Sequence, residues 1–275
     1  MHTVAIITNK KKDIDGYITQ KCVDVLKDKF NLVFPDGTDP QSLKECLGGC
    51  FGAIVIGGDG TILLTANEAA SAQVPVLGIN MGHMGFLADV EPTEIENALN
   101  SFANGSFNIE ERFMIEALVY AGGKEKTSPL TALNDLVISR ASYTRMIALD
   151  VLVDGHFVTS YVGDGVVVST PTGSTAYSLS AGGPVVDSSL DVCIITPVCP
   201  HTMSSKPLIV PGKSEITIRF HANFDDISML TSDGQRSVQI ADGDEIVIKA
   251  SPLKTRLIKV SDRGFYEIFN KKLQG

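Results

Sequence analysis

No stretch of this 275-residue chain approaches the roughly 18 consecutive apolar residues that a bilayer-spanning helix needs, which excludes a membrane helix. The N-terminus, Met-His-Thr-Val-Ala-Ile-Ile-Thr, reads as a strand and lacks the basic start and cleavage site of a secretory leader. Cysteine is sparse: five residues, an odd number, with no Cys-x-x-Cys pair. Cys46 and Cys50 have no histidine or second cysteine pair near them in sequence, so neither a zinc site nor a disulfide framework is expected. The reading is free thiols in a reducing cytoplasm. A net charge of −9 and a pI near 5.0 argue against a dedicated nucleic-acid binder, which presents a basic face. A local cluster of N–H groups can still hold a phosphate on an acidic protein, so a nucleotide ligand remains open. Also missing are a Walker-type Gly-x-x-x-x-Gly-Lys-Thr, a kinase His-Arg-Asp loop, internal repeats and low-complexity linkers.

What is present divides into two halves with different periods. Over the first hundred or so residues, apolar strands (Val4–Thr8, Asn31–Phe34, Ala53–Ile56, Val76–Ile79) alternate with helical patterns (within Ile14–Phe30, then Pro40–Leu47, Thr61–Ala72 and Pro92–Phe102). Continuously apolar strands separated by helices imply a parallel sheet covered on both faces, with ligands at the carboxyl ends of its strands. From about Met114 the pattern becomes short strands and turns, including the hairpin Ile147–Val153, Asp154-Gly155, His156–Tyr161. The fold class expected is an α/β N-terminal domain with a parallel sheet, residues 1–113, followed by a β-rich, two-layer sandwich-like C-terminal domain, residues 114–259. The tail from about 260 to 275 is expected to pack back on the first domain, and a cleft between the halves is the expected binding site.

Three constellations carry chemistry. Gly57-Gly58-Asp59-Gly60-Thr61 joins the apolar strand to an apolar helix, where glycines let a phosphate approach the backbone and a helix N-terminus offers unpaired N–H groups. Yet the chain holds seven Asp-Gly pairs, at Asp15, Asp36, Asp59, Asp154, Asp164, Asp233 and Asp242, and such pairs also make plain turns. Asn134-Asp135 interrupts an apolar strand; it is either a ligand for ribose hydroxyls or a bulge satisfied by backbone. Gly163-Asp164-Gly165 opens a strand that leads into Ser169–Ser178, dense in hydroxyls, with Tyr177 offering an aromatic face to a base. That segment is either a ligand loop or a helix cap.

These motifs, in this order and spacing, resemble those of the NAD kinases, as do Asn80–Leu87 and Pro197–Pro207. The resemblance runs from the first strand to near the C-terminus. It implies ATP-dependent phosphorylation of NAD at the 2′-hydroxyl of its adenosine ribose, giving NADP, with Mg²⁺ or another divalent cation and with polyphosphate as an alternative donor. By resemblance, Asp59 is the base, Gly60 lines the same contact and Phe86 closes over a base. Asn134 and Asp135 hold the ribose and diphosphate region, and Asp164 faces the nicotinamide end. Thr175, Ala176, Tyr177 and Ser180 receive the adenine part and its neighbourhood, and Arg145 and Gln235 match further binding positions. No dedicated metal ligand is expected among the protein residues, and Asp59 has two possible jobs, base and metal organiser. The resemblance also implies a homodimer or homotetramer whose subunits share the NAD site. Two competing readings are a lipid kinase of the diacylglycerol or sphingosine type, which resembles this chain in the same glycine loop, and a non-catalytic NAD sensor.

Overall fold

The computed structural model describes residues 1–82, 85–141, 146–201, 205–221 and 228–273. The chain forms two compact units, Met1–Arg112 with Leu253–Gly275, and Phe113–Pro252.

In chain order the first unit contains β1 (Thr3–Thr8), α1 (Tyr17–Leu26), β2 (Asn31–Val33), α2 (Pro40–Leu47), β3 (Gly52–Gly57), α3 (Asp59–Ser71), β4 (Val76–Asn80), α4 (Ile95–Ala103) and β5 (Asn108–Arg112). Local chemistry sets the helix starts. Asp13 accepts from the N–H groups of Ile18 (3.1 Å) and Thr19 (2.9 Å), satisfying open donors of the first turn of α1. Asp39 caps α2 by accepting from Gln41 N–H at 3.0 Å, with Pro40 at the first helical position. The strands β1, β3 and β4 are buried on both faces, which is why they read as unbroken apolar runs. Val4 and Ile6 of β1, Ile54 and Ile56 of β3, and Leu77 and Ile79 of β4 form a core with Ile18, Cys22 and Leu26 of α1 and Leu99 and Phe102 of α4.

The second unit is made of strands β6 (Ile115–Ala121), β7 (Lys124–Glu125), β8 (Leu130–Ala132), β9 (Asp135–Arg140), β10 (Ile147–Val153), β11 (His156–Gly163) and β12 (Gly165–Ser169). A short helix, α5 (Tyr177–Ser180), precedes β13 (Val192–Val198), β14 (Leu208–Pro211), β15 (Ile216–His221), β16 (Ser228–Ser232), β17 (Arg236–Ile240) and β18 (Glu245–Ala250). One sheet runs β11-β10-β15-β18-β6-β7, with β8 also on β6; the other runs β14-β13-β12-β9-β16-β17. Their inward residues share one core, from Val119, Leu149 and Phe220 of the first sheet to Ile138, Val168 and Leu230 of the second, as a sandwich requires. The hairpin at Asp154-Gly155 forms as expected, with φ of 51° and 76°, the positive values of a type I′ turn.

The chain then returns to the first unit through β19 (Thr255–Lys259) and α6 (Phe265–Leu273). The first sheet has the order β2-β1-β3-β4-β19-β5. It is parallel from β2 to β19, and β5 is antiparallel to β19. The second unit therefore stops at Pro252, not at residue 259, and the return begins before the expected 260. The physical reason is that strand periodicity does not say which sheet a strand joins. Thr255–Lys259 has the same short pattern as its neighbours in sequence, and only its pairing with β4 and β5 assigns it to the first sheet.

Leu257 is 2% exposed and is the β19 residue paired with Val76 of β4. Leu257→Ala is expected to lower stability by about 2–5 kcal/mol in urea unfolding. A loss under about 0.5 kcal/mol, the usual size for a surface substitution, would show that β19 is not an internal strand.

Candidate active site

In the first unit, β3 ends at Gly57 and α3 begins two residues later at Asp59. Because β1 and β4 flank β3, the segments that follow all three strands converge on this end of the sheet. The Asp59 carboxylate accepts from the N–H of Phe86 at 2.8 Å through one oxygen and from the N–H of Leu87 at 3.1 Å through the other. Gly85 is required there: a Cβ on it would lie 1.9 Å from an Asp59 oxygen. Thr61 receives a hydrogen bond from the Asn9 amide at 3.2 Å, tying the β1 end to the glycine loop. Asn80, at the end of β4, has a buried side-chain oxygen with no hydrogen-bond partner among the described residues. Phe86 is partly buried, with the Phe265 ring 5.8 Å away and the Lys272 ammonium 4.2 Å from its ring centre. Lys272 Nζ also stands 3.9 Å from Asp59 Oδ2. Neither Phe265 nor Lys272 was among the residues singled out by sequence, since the tail shows only an apolar run followed by basic residues.

In the second unit a cavity of about 390 Å³ is lined by Asn134, Asp135, Val137, Ala176, Tyr177, Thr231, Asp233 and Gly234. Four of the expected residues, Asn134, Asp135, Ala176 and Tyr177, meet there. Leu133 and Asn134 link β8 to β9, whose first residue is Asp135, and Asp233 holds the backbone of all three. Its carboxylate accepts from Leu133 N–H (2.9 Å), Asn134 N–H (2.8 Å) and Asp135 N–H (3.0 Å). By sequence Asp233 is one of seven Asp-Gly pairs, and with Gly234 it does form a turn with positive φ at both residues. Its second role comes from the pairing of β16 with β9, which no local pattern reveals.

The hydroxyl-rich segment is mostly turned inward, and neither the single turn Thr172–Thr175 nor α5 has a side-chain hydrogen bond at its N-cap, so the hydroxyls serve other partners than the expected helix cap. Thr170 donates to the Leu133 carbonyl at 2.5 Å and accepts from Gly173 N–H at 3.1 Å. Ser174 bonds the backbone of Pro171 and Val186, and Ser178 bonds Thr196 at 3.0 Å. Gly173 packs so tightly that a Cβ would sit 2.1 Å from the Asn134 carbonyl oxygen. These bonds clamp the segment onto Asn134 and leave Tyr177, 44% exposed, at the cavity wall. Thr175 and Ser180 belong to the same segment but do not line the cavity; nor does Gln235, exposed just after the Asp233 turn. Asp164 is held in an ion pair by Arg140 Nε at 3.0 Å, a partner that sequence reading missed. Arg145 lies outside the described residues.

Two family models match the chain. The ATP-NAD kinase N-terminal domain matches residues 18–107, and the ATP-NAD kinase C-terminal domain matches residues 133–260. Over its full length the chain is 45% identical to the NAD kinase of Moorella thermoacetica, covering 90% of that protein. It is 41% identical to the NAD kinase of Natranaerobius thermophilus, again over its full length and 99% of the relative. Among solved structures, yeast NADH kinase complexed with NADH has the same fold, with a TM-score of 0.87 at 23% identity, covering 100% of this chain and 88% of that one. An NAD kinase from Archaeoglobus fulgidus in complex with ATP gives a TM-score of 0.77 at 24% identity, covering 98% and 96%. The chain belongs to the NAD kinase family.

Burial, reinforced by the charge of Asp233, pushes the Asp135 carboxyl up to about 7. Burial also raises Asp233, against the lowering effect of its three N–H donors. Both carboxyls therefore bind protons more tightly folded than unfolded, so this pair's contribution to stability is greatest in acid and falls as pH rises from about 4 to about 7. Asp135→Asn is expected to flatten that decline, gaining on the order of 1–3 kcal/mol relative to the parent chain on going from pH 5 to pH 8 in urea unfolding. Parallel pH profiles for the two proteins would contradict the assignment.

Proposed function

We propose that this chain transfers the γ-phosphoryl group of ATP to the 2′-hydroxyl of the adenosine ribose of NAD, giving NADP. The observation that carries the reading is Asp59. In the unit that matches the N-terminal ATP-NAD kinase domain, its carboxylate sits at a strand end and in the first turn of a helix, fixed by two backbone N–H groups. Each carboxylate oxygen keeps a lone pair beyond the one those N–H groups use. That remaining capacity is what a base needs to take the proton from a ribose hydroxyl as the new P–O bond forms. The N-terminus of α3 and the glycine backbone supply N–H groups for the phosphates. The orphaned oxygen of Asn80 is an acceptor that a ligand hydroxyl would satisfy.

In the second unit, Asn134 and Asp135 offer polar groups to ribose and diphosphate, and Tyr177 an aromatic face to the adenine. Among the described residues no cluster of three carboxylate, histidine or cysteine side chains forms a metal cage. That donor set fits Mg²⁺ carried mainly by the nucleotide phosphates, the usual arrangement for this ion, with Asp59 as the carboxylate of the glycine loop that would help to hold it. Bound there, Mg²⁺ would neutralise phosphate charge during transfer. We place the enzyme in the cytoplasm and read it as a homodimer or homotetramer; exposed Phe157, Val158 and Val162 on β11 are apolar surface that a partner subunit would cover. The lipid-kinase reading has no counterpart to the match of residues 133–260 with the ATP-NAD kinase C-terminal domain.

The test is NADP formation from NAD, Mg²⁺ and either ATP or polyphosphate, read through an NADP-specific dehydrogenase. Asp59→Asn is expected to cut turnover by roughly 10²–10⁴-fold with the KM for NAD within about threefold of the parent. Near-normal turnover in a folded Asp59→Asn protein would remove Asp59 as the base, and absence of NADP from the parent chain would remove the activity.

A further inference from the structure

The chain lacks a Walker-type lysine, yet the glycine loop is not without cations. Lys12, on the segment after β1, places its ammonium 2.8 Å from the position a Cβ on Gly58 would occupy and 3.5 Å from the equivalent position at Gly82. On α6, Phe265, Phe269 and Lys272 are spaced i, i+4 and i+7 and share one helix face. Phe269 stacks on Phe265, with centroids 6.1 Å apart, and Phe265 reaches Phe86 at 5.8 Å. That aromatic contact seats the helix, and two turns further on Lys272 lies over the same Phe86 ring, at 4.2 Å, with its ammonium 3.9 Å from Asp59 Oδ2. At that distance Lys272 is beyond hydrogen-bond reach of Asp59, whose two oxygens are already engaged by the N–H groups of Phe86 and Leu87.

We propose that Lys272 is a phosphate-binding residue of the transfer site: when the donor is bound, its ammonium takes the terminal phosphate of a nucleoside triphosphate or inorganic polyphosphate. The inference rests on the kinase reading above and deepens it. The charge balance argues for it. The Lys12 ammonium beside Gly58, the Lys272 ammonium beside Asp59 and the positive end of a 13-residue helix gather at the glycine loop around one carboxylate of that loop, positive charge that a phosphate chain neutralises. The geometry argues for it as well. A lysine held by a cation–π contact rather than by hydrogen bonds keeps its three N–H donors for an anion. The C-terminal helix is then part of the active site, and the last residues of the chain act on a loop more than two hundred residues earlier.

The experiment compares the full-length parent with Lys272→Met, which keeps the apolar stem on Phe86, and Lys272→Arg, which restores the charge. Initial rates of NADP formation are measured against ATP and against NAD, and inorganic tripolyphosphate binding is measured by calorimetry without NAD. Lys272→Met is expected to lower kcat/KM for ATP at least tenfold and tripolyphosphate affinity at least fivefold. KM for NAD and the thermal midpoint should stay near the parent's, and Lys272→Arg should recover most of the loss. The proposal is overturned if Lys272→Met keeps both ATP efficiency and tripolyphosphate affinity within twofold, or if the loss falls on KM for NAD instead. A parent chain that binds tripolyphosphate but makes no NADP would refute the kinase reading, and the calorimetric comparison would still decide the role of Lys272. Should Lys272→Met prove unfolded, Lys272→Gln takes its place with the same criteria.

Discussion

The structure of the first unit turns on how the Asp59 carboxylate is held. A carboxylate in the first turn of a helix is favoured by the helix dipole, but that alone leaves its side chain free to rotate. Here the N–H groups of Phe86 and Leu87 fix both oxygens, and the absence of a side chain at Gly85 lets that backbone close to contact. One interaction thus joins the end of β3, the start of α3 and the segment following β4. It also positions Phe86, against which α6 packs through Phe265 and Lys272. Removing the carboxylate would leave two N–H groups without their acceptor as well as deleting the reactive group.

The second unit uses the same device with the roles exchanged. Asp233 is a carboxylate that orders backbone, accepting from three consecutive N–H groups of the Leu133–Asp135 segment. Those bonds fix Asn134, just before β9, and Asp135, the first residue of β9 and paired with Ser169, where both line the cavity. The inward hydroxyls of Thr170, Ser174 and Ser178 clamp the opposite wall. The cost is a pair of carboxyls in a poorly solvated place: burial raises both, and the charge of Asp233 raises Asp135 further. Ligand-facing geometry here is bought with pH-dependent stability.

The division into an α/β unit and a β-sandwich was legible because buried parallel strands and half-exposed antiparallel strands have different hydrophobic patterns. So was the position of Asp59, since a glycine loop between an apolar strand and a helix marks a strand end. Local sequence did not disclose pairings made at long range. Thr255–Lys259 reads as one more strand of the second unit but belongs to the first sheet. Asp233 looks like Asp154, and both turn with positive φ, yet Asp154 accepts from the Glu215 N–H and the Ser214 hydroxyl while Asp233 accepts from three consecutive N–H groups beside the cavity. The hydroxyls of residues 169–178 look equally available in sequence; burial assigns most of them to the scaffold and leaves Tyr177 at the cavity.

The central claim is that a carboxylate fixed at Asp59 serves one particular hydroxyl of a dinucleotide. The most direct measurement is phosphorus and proton NMR of the product made by the parent chain from NAD and ATP. The account predicts a single new phosphomonoester on the 2′-oxygen of the adenosine ribose. A phosphate on the 3′-oxygen, on the nicotinamide ribose, or on no part of NAD would contradict it.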